Sequence, residues 1–234
     1  MDVSLIKTAD GSNSLYVKEL DEHYHSIHGA IQESRHVFID AGLKYITEQN
    51  HSPLSVLEIG LGTGLNTFLT FIESEKLNLT IKYTALEAFP LLLDITNQLN
   101  YVECLNEKKH NDVFNFVHSC EWEKEIPLSE KFILNKLNST LQEINFDDTY
   151  HLIYFDAFGP RVQPEMWTEG MFSKLFSATK PNGILVTYCA KGEVKRMFKK
   201  VGFAVETLPG PPGKREMVRA IRNLKFEIKS NGNR

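Results

Sequence analysis

The sequence predicts an α/β protein, with a mostly parallel sheet covered by helices on both faces and an antiparallel strand near its end. Three observations carry this prediction. From Leu54 onward, short apolar runs alternate with helix-like segments, which is the order of a parallel sheet. A glycine loop, Gly60-Leu61-Gly62-Thr63-Gly64, separates the first of those runs from its helix. Finally, Ala204–Leu208 and Met217–Ile221 follow one another with only a Pro/Gly loop between them, so the pair closes as an antiparallel hairpin.

Taken in order, Leu15–Leu20 alternates as a strand and forms one arm of an N-terminal hairpin. Gly29 to Gly42 has no clean period; Val37–Ile39 is its apolar centre and can be read as a helix start. Leu54–Ile59 is a strand ended by Gly60, and Asn66–Glu75 a helix striped by Phe68, Leu69, Phe71 and Ile72. Ile81–Leu86 is the next strand and ends at Glu87. Pro90 suits a first helical turn, which predicts a helix over Leu91–Leu99. Residues 100–130 mix polar and apolar positions without a period, and Phe132–Leu137 reads as a third strand. His151–Phe155 is a compact strand with Asp156 at its carboxyl end. Trp167–Thr179 reads as a helix stopped by Pro181-Asn182-Gly183, Ile184–Cys189 as a strand, and Val194–Val201 as a helix ended by Gly202. The expected organisation is a single domain, with residues 1–50 a small N-terminal β extension and 51–234 the core.

Composition narrows the class. Hydrophobic residues make up 42% and charged residues 24%, the balance of a globular protein. No apolar run approaches the roughly 18 residues of a membrane span. Asp2, Lys7 and Asp10 interrupt any secretory signal. Cys104, Cys120 and Cys189 are odd in number and widely spaced, so neither a disulfide framework nor a metal cluster is indicated. A cytoplasmic, metal-free protein with no membrane partner is expected.

The net charge of −4 hides a segregation: residues 180–234 carry 13 Lys or Arg against four Glu, a local +9. Such a segment is an electrostatic footprint for a phosphate backbone, although a solvated helix face with a basic tail has the same composition.

The glycine loop lacks the third glycine of a dinucleotide fingerprint, because Leu65 stands there, and it lacks a Gly-Lys-Ser/Thr ending. What remains is Glu58-Ile59-Gly60-Leu61-Gly62-Thr63-Gly64. Glu58 suits a cofactor carrying an ammonium group, held directly or through water, and disfavours a pyrophosphate. Glu87, at the end of the next strand, offers two acceptor oxygens to the hydroxyls of a ribose, or is a solvent-facing strand end. Asp156 stands outside a central strand, where ligands bind in open α/β sheets. A carboxylate there can orient a protonated amine and accept its proton. An Asp capping a turn after a buried strand is the plainer alternative. Phe158 either stacks on a splayed base or packs under the loop. Trp167 has the same two readings, with helix packing favoured.

The strand order resembles the seven-stranded, Rossmann-like fold of S-adenosylmethionine-dependent methyltransferases, and Asp156-Ala157-Phe158-Gly159-Pro160 resembles the D-P-P-Y type motif of amino-methylating enzymes. Together with Glu33-Ser34-Arg35, Asn66, Glu87-Ala88-Phe89-Pro90, Pro164-Glu165-Met166-Trp167, Lys180-Pro181-Asn182-Gly183 and Gly213-Lys214-Arg215-Glu216-Met217, these motifs make the chain similar to one family. It resembles the tRNA 5-aminomethyl-(2-thio)uridine methyltransferases, which comprise the methyltransferase half of MnmC and its stand-alone relatives, MnmD.

The resemblance covers most of the chain. It implies transfer of a methyl group from S-adenosyl-L-methionine to the amine of 5-aminomethyl-(2-thio)uridine at the tRNA wobble position, in the anticodon loop. It further implies that Gly60, Gly62, Gly64, Asn66 and Glu87 line the cofactor, with Glu58, Glu33 and Phe89 as additional candidates. Asp156 becomes the catalytic residue, and Phe158 and Pro160 face the substrate; within the basic segment, Lys214 and Arg215 after the Pro/Gly loop are the candidates for tRNA contacts near the site. No FAD oxidase domain follows in this sequence, so upstream tRNA-modifying enzymes are expected to supply the aminomethyl group. Asn138, Ser139 and Thr140 stand where relatives often carry an adenine-binding acid, and no such acid is assigned.

Three competing readings share parts of this pattern. An N-methyltransferase of a small-molecule or protein amine has no use for the +9 segment. An aminopropyltransferase is related in fold but takes a polyamine. A tRNA-binding module with a vestigial pocket would not need Gly60–Gly64, Glu87 and Asp156 intact.

Overall fold

A computed structural model describes residues 3–49, 52–146 and 149–223. Its centre is an eight-stranded sheet. In chain order, after three N-terminal strands, the members are β4 (Leu54–Ile59), β5 (Ile81–Leu86), β6 (Glu125–Ser129), β7 (Phe132–Leu137), β8 (Tyr150–Phe155), β9 (Thr179–Thr187), β10 (Ala204–Pro209) and β11 (Glu216–Ile221). Their spatial order is β10-β11-β9-β8-β4-β5-β7-β6. Strands β9, β8, β4, β5 and β7 are parallel, whereas β11 runs antiparallel to both β9 and β10, as the terminal hairpin requires.

The apolar runs of β4 and β8 are buried almost throughout, as expected of strands covered on both faces. Strand β4 pairs with β5 on one side and β8 on the other. The order therefore reverses at β4, and a crevice opens at the carboxyl ends of β4 and β8.

The sheet has one strand more than the seven expected. The extra strand, β6, is an edge strand with Pro127 and a register shift. Proline is tolerated at an edge, but it hides the alternation that marks a strand.

Helical segments differ from expectation where burial, rather than period, decides. The segment without a period is a continuous helix: α1 (Ala30–Ser34), a π-helical stretch (Arg35–Lys44) and α2 (Tyr45–Thr47). Its i→i+5 bonding displaces the apolar residues from a 3.6-residue stripe. Val37, Phe38, Ile39, Leu43 and Ile46 are nonetheless buried, in one core with Phe68, Phe71, Tyr83 and Tyr154. Helix α3 (Leu65–Lys76) follows the glycine loop as predicted.

The helix expected over Leu91–Leu99 is a single turn, α4 (Leu93–Thr96). Leu92 is 70% exposed and Leu93 47%, so no apolar face holds a longer helix in place. The unparsed region contains α5 (Tyr101–Cys104) and α6 (Asn111–Ser119).

Trp167 ends a 3-10 turn that precedes α7 (Glu169–Ala178), whose first turn is capped by Thr168 accepting the N–H of Met171 at 3.3 Å. Pro181-Asn182-Gly183 does not stop this helix. It lies inside β9 at a register shift, where Asn182 N–H donates to the Arg222 carbonyl at 2.7 Å. Helix α8 (Gly192–Lys200) covers the second face, over a core that contains Leu57, Phe155, Trp167, Phe172 and Phe198.

The N-terminal hairpin is a three-stranded antiparallel sheet of β1 (Val3–Lys7), β2 (Asn13–Val17) and β3 (Glu22–His23). Among the described residues no helix is long and apolar enough to cross a membrane, and no group of three or more His, Cys, Asp or Glu could hold a metal ion.

Candidate active site

The glycine loop leaves β4 and turns into α3 above the crevice. Gly60 has φ +92°, and a Cβ there would stand 3.0 Å from the backbone carbonyl oxygen of Asp156. The two strand ends can approach this closely only with glycine. Gly62 has φ +49°, and its N–H donates to Glu87 Oε2 at 2.9 Å. Glu87 Oε1 accepts the Phe89 N–H at 2.8 Å. The carboxylate is thus fixed at the end of β5, and each oxygen keeps a lone pair for a further donor.

These groups border a cavity of about 430 Å³, within the usual range of a small-molecule site. Gly60, Gly62, Asn66, Glu87, Phe89, Asp156 and Phe158 all line it, so the structure brings together most of the residues singled out in the sequence. Gly64 is the left-handed residue that starts α3, and Pro160 is half-buried on the loop after Asp156; neither lines the cavity.

Asp156 is held by Asn66, whose Nδ2 donates to Oδ2 at 2.8 Å. Burial pushes its carboxyl up to about 7; the Asn66 hydrogen bond and Lys214 oppose that rise, while Glu33 adds to it. The amide oxygen of Asn66 is buried without a partner. Phe158 meets Tyr24 edge-on, with centroids 5.2 Å apart. Arg161 reaches back from the same loop to the Asp21 carbonyl and to Glu22. Trp167 packs on Phe155 and donates its indole N–H to the Phe158 carbonyl at 2.7 Å, which is the packing role.

Two acids read as cofactor ligands lie elsewhere. Glu58 points beneath the loop, fully buried, with Oε2 accepting from Thr67 Oγ1 at 2.7 Å and Tyr83 OH at 2.8 Å. It braces strand and helix and is not part of the cavity wall. Burial raises its carboxyl to about 8. The folded state therefore keeps a proton that the unfolded chain loses from about pH 4.5, and Glu58 costs stability increasingly as pH rises from about 4.5 to 8. Glu58→Gln is expected to gain melting temperature over the parent across that interval and to leave ligand affinity unchanged. Thermal scans at several pH values check this; a difference independent of pH would refute it.

Glu33 is buried outside the cavity wall, accepting the Ser26 N–H at 2.8 Å and forming an ion pair with Lys214. Lys214 therefore points inward rather than toward an external partner. Arg215 is exposed beside it, away from the cavity wall.

The basic segment divides in two. Lys195, Lys200 and Arg219 pair with Glu216, Glu169 and Glu206, and Arg222 donates to the carbonyls closing α7. Among the described residues, Lys191, Arg196, Lys199 and Arg215 are exposed and belong to none of these ion pairs. Lys225, Lys229 and Arg234 lie outside the described residues.

Sequence reasoning missed several lining residues. Tyr24 and His25 come from the N-terminal extension, and Tyr188 from the end of β9. His25 is buried and held neutral, its ring pushed down to about 4 chiefly by burial, with its Nδ1 2.9 Å from Ser14 Oγ. Ser139, Thr140 and Glu143 close the wall beyond Glu87, with Thr140 Oγ1 donating to Glu143 at 2.8 Å. An acid thus stands just beyond the three positions at which none was found.

A sequence model of S-adenosyl-L-methionine-dependent methyltransferases matches residues 102–223. The tRNA 5-methylaminomethyl-2-thiouridine biosynthesis bifunctional protein MnmC of Leptospira borgpetersenii is 29% identical over 228 residues, covering 85% of this chain and 32% of that protein. The chain spans about a third of the length of the curated relatives it matches. The crystal structure of MNMC2 from Aquifex aeolicus superposes with a TM-score of 0.78 at 22% identity, over 95% of this chain and 70% of that one. Spermidine synthase from Thermotoga maritima shares the fold more loosely, with a TM-score of 0.57 at 12% identity over 100% of this chain and 78% of that one.

Proposed function

The chain belongs to the S-adenosyl-L-methionine-dependent methyltransferases, and from that premise we propose that its acceptor is the amine of 5-aminomethyl-(2-thio)uridine at the tRNA wobble position. The observation that carries the reading is Asp156. It is a partly buried carboxylate at the carboxyl end of β8, tied to the glycine-loop helix through Asn66 and sharing one cavity with Glu87 and the Tyr24–Phe158 aromatic pair. The similarity to MnmC over 85% of the chain supports tRNA as the partner and primary amine as the acceptor.

The residues present fit the cofactor. Gly60 and Gly62 bring the loop backbone to the cavity wall, Glu87 is preset to accept ribose hydroxyls, and the unpartnered Asn66 oxygen offers an acceptor beside Asp156. When bound, S-adenosyl-L-methionine supplies an electrophilic methyl group on a sulfonium, and the carbon–sulfur bonding pair stays with sulfur as the amine lone pair takes the methyl.

The chain's own groups do the rest. Phe158 and Tyr24 present aromatic faces and edges to a base splayed out of the anticodon loop. Asp156 orients the amine and accepts the proton that it loses. A carboxyl near 7 is balanced between holding and releasing a proton at neutral pH, as a general base should be. Lys191, Arg196, Lys199 and Arg215 supply exposed charge for phosphates, so binding weakens as salt rises. The aminomethyl group has to be installed upstream, because Asp156 handles an amine and does not create one.

Radiolabelled methyl transfer tests the reading with two tRNA pools, one bearing wobble 5-aminomethyluridine and one unmodified. Label is expected only in 5-methylaminomethyluridine from the first pool. A protein that binds the cofactor but labels neither pool, and instead labels a small-molecule or protein amine, would overturn it.

A further inference from the structure

Lys214 ends in an unusual place for a surface lysine. Its Nζ lies 3.8 Å from the centroid of the Tyr188 ring and pairs with the buried carboxylate of Glu33. Tyr188 lines the cavity, and its hydroxyl donates at 2.9 Å to the carbonyl of Ala157, next to Asp156. A helix near the N-terminus, the end of β9 and the β10–β11 loop thus converge behind the carboxylate that receives the amine.

We propose that Lys214 is a positioning residue for methyl transfer: clamped between Glu33 and Tyr188, its ammonium offsets the Glu33 charge and so keeps Asp156 available as a proton acceptor. The proposal rests on the reading of Asp156 as the amine site.

The chemistry addresses a conflict built into that site. An ionised aspartate attracts an ammonium and stabilises it, which removes the lone pair needed for attack. The amine therefore has to pass a proton to a base, and Lys214, by offsetting the charge of Glu33, limits the rise of the Asp156 carboxyl and keeps it able to serve.

The groups that face Asp156 are Asn66 from α3, Glu58 from β4, Glu33 from α1, Tyr188 after β9 and Lys214. Those that face Lys214 are Glu33, Tyr188, Asp156, His25 and Cys189. His25 is neutral, so Lys214 is the cation in this set. Glu33 raises the Asp156 carboxyl and Lys214 lowers it. Removing Lys214 alone leaves the Glu33 charge uncompensated beside Asp156.

The test uses the full chain with ¹³C-labelled aspartate, and Asp156→Asn to assign the Asp156 carboxyl resonance. In Lys214→Gln, the Asp156 titration and the acid limb of single-turnover methyl transfer are both expected to move up by about one pH unit or more. Transfer then falls about tenfold near neutral pH and recovers in alkali. Lys214→Arg keeps the parent profile. The double variant Glu33→Gln/Lys214→Gln, with both charges gone, returns the limb toward that of the parent.

A uniform loss at every pH, with the Asp156 titration unmoved, would show that Lys214 only supports the loop and would overturn the proposal. If the parent protein labels no tRNA, the reading of the acceptor fails instead. The carboxyl titration, which needs no substrate, still decides whether Lys214 acts on Asp156.

Discussion

Replacing Asp156 with asparagine is expected to slow methyl transfer by about 10²–10⁴-fold, the usual contribution of a positioned acid–base group, while cofactor affinity stays within a few-fold of the parent. Asparagine can still accept the Asn66 Nδ2 hydrogen, now at 2.8 Å, so the loop–strand tie survives. What it cannot do is take a proton. The parent's rate should rise as pH passes upward through about 7, because burial holds the Asp156 carboxyl there and only the ionised form accepts. In the variant that limb disappears. Single-turnover transfer across pH 5–9, paired with calorimetry of cofactor binding, separates the two effects. A variant that transfers at the parent rate would remove Asp156 from the chemistry.

Glu87→Ala is expected to weaken cofactor binding by about 10- to 100-fold, since hydrogen bonds to a charged group contribute roughly 1.5–3 kcal/mol. The substitution removes the acceptor for ribose hydroxyls and also frees the N–H groups of Gly62 and Phe89, which the carboxylate holds at 2.9 and 2.8 Å. Once cofactor is saturating, transfer should return to near the parent rate, because Glu87 bonds to Gly62 and Phe89 and not to the Asp156–Asn66 pair. Calorimetry gives the affinity, and rates at rising cofactor concentration give the recovery. An unchanged affinity would make Glu87 a strand-end residue only.

Much of this site could be read from the sequence because its parts are local. Gly60, Gly62, Asn66, Glu87, Asp156 and Phe158 each sit just past a strand whose apolar run announces itself, and the α/β rule puts those ends together. Glu58 shows the limit of that logic. It belongs to the same motif, yet strand alternation turns it away from the cavity and toward Thr67 and Tyr83. Glu33 and Lys214 were picked out as separate ligands; that they bind each other across 181 residues is a tertiary fact with no local signal. Tyr24 and Tyr188 were missed for the same reason. The helix over 30–47 was legible only as a start at Val37–Ile39, because its π-helical middle breaks the period, and β6 escaped because proline and charge mask an edge strand.

The cavity wall is assembled from residues as distant in the chain as Tyr24 and Tyr188, so no fragment of the fold holds its ligand alone. Occupancy is therefore thermodynamically linked to the folding of the whole chain, not to the order of one loop. By mass action, a ligand at a hundredfold excess over its dissociation constant adds about 2.7 kcal/mol to the free energy of unfolding. A protease that samples the unfolded population would then cut the protein about a hundred times more slowly when cofactor is plentiful than when it is scarce. The lifetime of such a protein reports on the supply of the molecule it consumes.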